Sequence, residues 1–205
     1  MKFDIVTIFP RMVEAGLAEG VVSRGIEQGL LDVAVHDLRN YTADRHRTVD
    51  DVPYGGGPGM VMKPEPVARA VEAIRASRGV PGTVILLSPQ GRRFTQAEAV
   101  RIRGLGHAVL LCGRYEGMDE RLRELVATEE LSVGDYVLSG GELPALVVVD
   151  AVSRLVAGVV GDGQSVEADS FSHGLLDYPH YTRPAEFAGL KVPDVLLSGH
   201  HEQVR

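Results

Sequence analysis

The richest chemistry in this chain lies between Leu131 and Val152, LSVGDYVLSGGELPALVVVDAV. A polar loop holding Ser132, Gly134, Asp135, Ser139, Gly140 and Gly141 runs straight into an apolar helical stretch. Ser139 and Glu142 have the spacing of a capping box, and Pro144 falls in the first turn, where its missing N–H costs little. Glycine lets backbone approach a bound molecule closely, and free N–H groups at a helix start can hold a polar ligand. An ordinary connection between a strand and a buried helix has the same signature, so both readings stand at this point.

Other candidates are weaker on their own. PYGGGPGM, from Pro53 to Met60, suits either a flexible surface loop or one that closes over a flat substrate, with Tyr54 and Met60 as apolar contacts. Arg154 follows Asp150 by four residues. That spacing fits an i,i+4 ion pair, or a guanidinium steadying negative charge as it develops in a reaction. Asp169 stands in a polar stretch where an acid is unremarkable. His200 and His201 would point about 100° apart on a helix and would chelate one metal poorly.

Several chemistries are excluded. No GxGxxG follows the first apolar run and no GxxxxGK[ST] occurs, which argues against a Rossmann dinucleotide site and a P-loop. Serine-hydrolase and metalloprotease motifs are absent as well. The single cysteine, Cys112, cannot form a disulfide within the chain, and no Cys/His zinc pattern is present.

The elements that must position these residues alternate. Asp4–Phe9, Leu31–Leu38, Thr83–Ser88 and Ala108–Gly113 read as buried strands. Met12–Gln28, Pro66–Ser77 and Asp119–Ala127 have helical patterns, and Thr95 with Glu98 forms a capping box ahead of Ala99–Arg103. The alternation predicts an α/β domain with a mostly parallel sheet flanked by helices. Ligands bind such sheets at the carboxyl ends of the strands. Three loops are therefore candidates: Leu87–Gly91 (LSPQG), Gly113–Gly117 (GRYEG) and Ser132–Gly141 (SVGDYVLSGG).

With 205 residues, 44% hydrophobic and 24% charged, the composition is that of a soluble globule. The N-terminal apolar run is too short for a signal peptide, and Leu143–Val160 is interrupted by Asp150 and Arg154, so a cytoplasmic protein is expected. The net charge of −7 weighs weakly against a nucleic-acid partner, because binding depends on local basic surface. Beyond Val160 the pattern fades. Residues 161–173 read as a linker and 174–205 as the start of a small helical piece that stops as a new helix begins.

FDIVTIFP, DDVPYGGGPGMVMKPEP, ILLSPQGRRF, LLCGRYEGMDER, SVGDYVLSGGELPALVVVDAVSRL, DSFSHGLLDYPHYTRP and LLSGHHEQVR together cover nearly the whole chain. In this order they closely resemble the bacterial tRNA (guanine-N1)-methyltransferases of the SPOUT class. The resemblance implies an α/β fold over residues 1–160 with a C-terminal deep trefoil knot. It also implies a homodimer with active sites shared between subunits, and a C-terminal helical domain for tRNA, of which 174–205 would be a truncated beginning. S-adenosylmethionine would be held by Leu87, Ser88, Pro89, Gln90 and Gly91; by Gly113, Tyr115, Glu116 and Gly117; and by Ser132, Val133, Gly134, Asp135, Tyr136, Val137, Leu138, Gly140, Gly141 and Pro144. Pro58, Gly59 and Met60 would face the substrate. Asp169, from the partner subunit, would take the proton from N1 of the guanosine 3′ of the anticodon, and Arg154 would stabilise charge on O6. The family also implies magnesium, with Glu116 the carboxylate to hold it. A SPOUT enzyme for another RNA position, or a non-catalytic module binding S-adenosylmethionine or RNA, would carry many of the same loops.

Overall fold

The computed structural model describes residues 1–79, 82–161, 170–171 and 176–200. Its centre is a five-stranded sheet in which every pairing is parallel, built from β1 (Lys2–Thr7), β2 (Asp32–Asp37), β5 (Thr83–Arg93), β6 (His107–Cys112) and β7 (Glu129–Ser132). The order across the sheet is β2-β1-β6-β5-β7. A two-stranded ribbon, β3 (Asp50–Asp51) and β4 (Val61–Met62), stands apart from it.

Both faces of the sheet are covered, so the strands read as continuous apolar runs. Alternate residues divide between two cores. Phe3, Ile5, Ile85, Leu110 and Cys112 pack under α1 (Pro10–Leu17), α2 (Gly20–Glu27), α4 (Gln96–Leu105) and α6 (Glu142–Ser153). Val6, Val84, Leu86, Val109 and Leu111 pack under α3 (Pro64–Arg78) and α5 (Arg121–Leu125). The expected α/β architecture is therefore present. No helix among the described residues is long and apolar enough to cross a membrane.

Three local expectations need correction. Met12–Gln28 is not one helix: the chain breaks between Leu17 and Gly20, and Gly20 takes φ of 80°, which glycine adopts without steric cost. Second, β5 does not end at Ser88 but resumes pairing with β7 at Arg92 and Arg93. Leu87 and Arg92 both pair with Leu131, so Ser88–Gly91 is an excursion inside a strand and not its terminal loop. Third, Ser139 does not cap α6. Gly141 occupies that position, and Glu142 turns inward. The Thr95 box does form, with Thr95 Oγ1 accepting from the Glu98 N–H at 3.4 Å.

Toward the amino end of the sheet a carboxylate is buried among hydrogen-bond donors. Asp4 is 1% exposed and accepts from His36 Nε2 (2.6 Å), His107 Nε2 (2.7 Å) and Arg78 Nε (2.9 Å). Burial pushes its pKa up, but the hydrogen bonds from His36, Arg78 and His107 win and hold it at about 2. A carboxyl group depressed in the folded state stabilises fully above its unfolded pKa, near 3.8, and that stability disappears as pH falls through 2. The shift corresponds to roughly 2 kcal/mol. Urea unfolding of wild type between pH 5 and 2 is expected to show this loss, and Asp4→Asn a flatter profile across the same window. Equal slopes would show that Asp4 is not the group titrating.

Residues 168–205 form a separate compact unit. Its described part contains a hairpin, β8 (Glu186–Phe187) with β9 (Leu190–Lys191), and a one-turn helix, α7 (Asp194–Leu197). The hairpin gives no clear pattern in sequence because each strand has only two residues.

Candidate active site

The Ser88–Gly91 excursion of β5 and the carboxyl ends of β6 and β7 border a cavity of about 390 Å³, within the usual range for small-molecule and cofactor sites. Three chain segments wall it: Leu86–Gln90, Gly113–Met118, and Glu130–Gly141 apart from Asp135. Glu120 and Arg123 join from α5 and its approach, and Pro144 from the first turn of α6. The three loops singled out in the sequence thus converge on one space.

Close backbone contacts set its floor. The Gly141 N–H donates to the Gly113 carbonyl at 2.9 Å, tying the start of α6 to the end of β6. A Cβ on Gly141 would lie 2.6 Å from Cys112 Cα, so only glycine fits there. Gly113 is different. A Cβ there would meet nothing nearer than the Leu87 carbonyl at 3.8 Å, and the residue lines the cavity. Gly113→Ala is therefore expected to keep wild-type unfolding stability within about 0.5 kcal/mol while weakening occupancy of the cavity, as read by calorimetric titration with S-adenosylmethionine. Unchanged affinity would mean the ligand lies elsewhere.

Beneath the floor lies a charge pair that sequence reading missed. Glu142 is fully buried, accepting from Thr7 Oγ1 at 2.7 Å and from Arg114 Nε at 2.9 Å. Arg114 also donates to the Ser139 carbonyl at 3.0 Å, and its guanidinium stands 4.5 Å from the centre of the Phe9 ring. One ion pair so connects β1, the GRYEG loop, the SGG turn and α6. A charged residue inside each of two glycine-rich loops was the available signal.

Tyr115 has φ of 61° and a hydroxyl whose pKa is raised, first by burial and then by the nearby Asp50 carboxylate. Burial also pushes the Cys112 thiol well up, so it packs as a neutral side chain. The PYGGGPGM loop is stitched alongside: the Glu116 N–H donates to the Met60 carbonyl (3.0 Å), and Met62 N–H to that of Gly117 (2.9 Å).

Of the sequence-derived cofactor residues, Leu87, Ser88, Pro89, Gln90, Gly113, Tyr115, Glu116, Gly117, Ser132, Val133, Gly134, Tyr136, Val137, Leu138, Gly140, Gly141 and Pro144 line the cavity. Gly91 does not; it lies flat against β7, where a Cβ would strike the Leu131 nitrogen at 2.4 Å. Asp135 turns to solvent and pairs with Arg93 at 3.0 Å. Pro58, Gly59 and Met60 do not form the wall, but a Cβ on Gly59 would lie 2.3 Å from the Glu116 carboxylate, so that loop backs Glu116. Arg154 caps the far end of α6, away from the wall. Asp169 lies outside the described residues, as does most of the 161–173 linker. No group of three His, Cys, Asp or Glu side chains among the described residues is arranged to hold a metal ion.

Comparison with known proteins agrees with this arrangement. A family model described as tRNA (Guanine-1)-methyltransferase TrmD matches residues 1–205. The tRNA (guanine-N(1)-)-methyltransferase of Pelotomaculum thermopropionicum is 55% identical over 206 residues, spanning 100% of this chain and 82% of the relative. That of Geobacter sulfurreducens is 52% identical, with 100% and 83% covered. The crystal structure of a tRNA (m1G37) methyltransferase from Aquifex aeolicus superposes with a TM-score of 0.85 at 39% identity, covering 100% of this chain and 85% of that one. With its parallel sheet, its three converging loops and these relatives, the chain belongs to the tRNA (guanine-1)-methyltransferase family of the SPOUT fold.

Proposed function

We propose that this protein methylates N1 of the guanosine just 3′ of the anticodon in tRNA, using S-adenosylmethionine bound in the cavity at the ends of β5, β6 and β7. The observation that carries the reading is the convergence of the three glycine-bearing loops on one cavity, in a chain of this family. The residues fit the cofactor: backbone of Gly113 lies open beside the space a flat purine would fill, and Leu138 and Pro144 offer apolar surface. When bound, S-adenosylmethionine supplies an electrophilic methyl group on a sulfonium centre.

Guanine N1 carries a proton, so its lone pair becomes a nucleophile only as that proton leaves. Asp169 is assigned as the base that takes it. As the N1–methyl bond forms and the methyl–sulfur bond breaks, electron density on the purine shifts toward O6, where Arg154 is assigned to donate. Its position on α6 supports a role at a second protomer's cavity. Arg154 is ten residues beyond Pro144 on the same helix, about 15 Å at 1.5 Å per residue. This separation supports assigning the arginine at each cavity to a second protomer, with a homodimer of shared sites as the active species. Phe9, Met12, Leu143 and Val147, on α1, α6 and the approach to α1, are 38–49% exposed and supply an apolar surface for that pairing.

The deep trefoil knot belongs to the same reading, supported by the return of the SGG turn onto the end of β6. Residues 174–205 are read as the beginning of the tRNA-gripping piece, with 161–173 as the linker that delivers Asp169. Glu116 would offer a magnesium ion a single carboxylate, which does not by itself make a metal site.

Nucleoside mass spectrometry on a tRNA with guanosine at this position, beside an adenosine variant, tests the proposal. The expected result is 1-methylguanosine from the guanosine substrate alone. A 2′-O-methylated product, or cofactor binding with no product, would overturn it.

A further inference from the structure

The Ser88–Gly91 excursion is anchored at its base by the sheet and by the tight seat of Gly91 on Leu131. Its tip has one side-chain tether. Arg123 Nη1 donates to Gln90 Oε1 at 3.4 Å and to Glu120 Oε1 at 2.9 Å, while Nη2 stands 2.9 Å from Glu130 Oε2. All four side chains belong to the cavity wall. The Glu130 side chain is only 13% exposed, so this arm is poorly screened and stiff, whereas Glu120 is 77% exposed and contributes little. A single planar guanidinium thus joins the excursion, α5 and β7. Its fork geometry lets it serve three acceptors together, which a lysine ammonium does less well.

We propose that Arg123 is a positioning residue for the cofactor: it holds the Ser88–Gly91 excursion raised against the cavity by tying Gln90 to Glu130. The inference rests on the cavity being the S-adenosylmethionine site. Without the tie the excursion is ordered only when ligand binds, so the cost of ordering it is subtracted from affinity.

Two readouts test this. Amide hydrogen exchange on the ligand-free protein is expected to rise severalfold in peptides covering 88–91 in Arg123→Ala, with β1 and β6 unchanged. Calorimetric titration should show Kd for S-adenosylmethionine raised about three- to tenfold. Arg123→Lys should recover part of both changes. Gln90→Ala, which removes only the tip tether, should reproduce the exchange result if Arg123→Ala does not fold. Unaltered exchange at 88–91 in a folded variant would overturn the proposal. Failure of wild type to bind S-adenosylmethionine would overturn the cofactor reading itself, and the positioning role with it.

Discussion

Arg154→Ala is expected to bind S-adenosylmethionine with wild-type affinity and to lose about a hundredfold or more in kcat. The two halves of that expectation come from one distance. The residue sits at the end of α6 remote from Pro144, so its loss leaves its own cavity untouched. In the proposed mechanism it removes the donor that steadies negative charge on guanine O6 in the neighbouring site. Asp169→Asn should be as severe, since an amide cannot accept the N1 proton. Complementation gives the sharper check. Arg154→Ala and Gly113→Val, which fills the cavity, should each be inactive as homodimers. A heterodimer purified through two different tags contains one cavity intact and one Arg154 to serve it. It should recover about half of wild-type turnover per dimer, because one of two equivalent sites is rebuilt. No recovery, in a heterodimer that binds one equivalent of cofactor, would show that cavity and arginine act within a single chain.

Glu142→Ala should be among the most destabilising single changes in the chain, by about 3–5 kcal/mol. The carboxylate is wholly buried, and its removal strands the Arg114 guanidinium beneath the cavity floor and leaves the Thr7 hydroxyl without its acceptor. Glu142→Gln preserves shape and an acceptor for Thr7 and should cost less. Urea titration at neutral pH reads the difference as a shift of midpoint at constant slope. Adding Arg114→Ala to Glu142→Ala should destabilise by less than the two single losses combined, since the stranded charge is gone. A Glu142→Ala cost below about 1 kcal/mol would mean that water, and not protein, solvates the pair.

Four of the five strands of the sheet were legible because apolar, β-branched runs bounded by turns have few other homes; β7, only four residues long, was not. The placement of the Gly113–Gly117 and Ser132–Gly141 loops followed from topology, since parallel strands put their carboxyl ends on one edge, whereas Ser88–Gly91 reaches the same space from inside a strand. What escaped depended on side-chain direction. Glu142 was read as half of a capping box since spacing cannot tell whether a glutamate faces the backbone or the core. Arg114 passed as one more loop charge, although it ties four segments together. Asp135 and Gly91 sit in the right loops but face away from the cavity, one paired with Arg93 and the other pressed on β7. For Arg154 the chemistry came through resemblance. Its separation from Pro144 along a continuous helix, which favours a second chain in the proposed mechanism, was not legible in sequence.

The way β5 resumes after Ser88–Gly91 has a consequence for insertions and deletions. Pairing restarts at Arg92 on Leu131, the residue where it stopped, so the excursion's length does not set the register of the strand beyond it. Adding or removing a residue there reshapes one wall of the cavity while leaving each neighbouring strand facing as before; closure of a slightly longer loop costs only tenths of a kcal/mol. The same edit within β7 would slip its alternation and turn Leu131 outward. An insertion at 88–90 should therefore change how the cavity fits its ligand while leaving the sheet's pairing as it is.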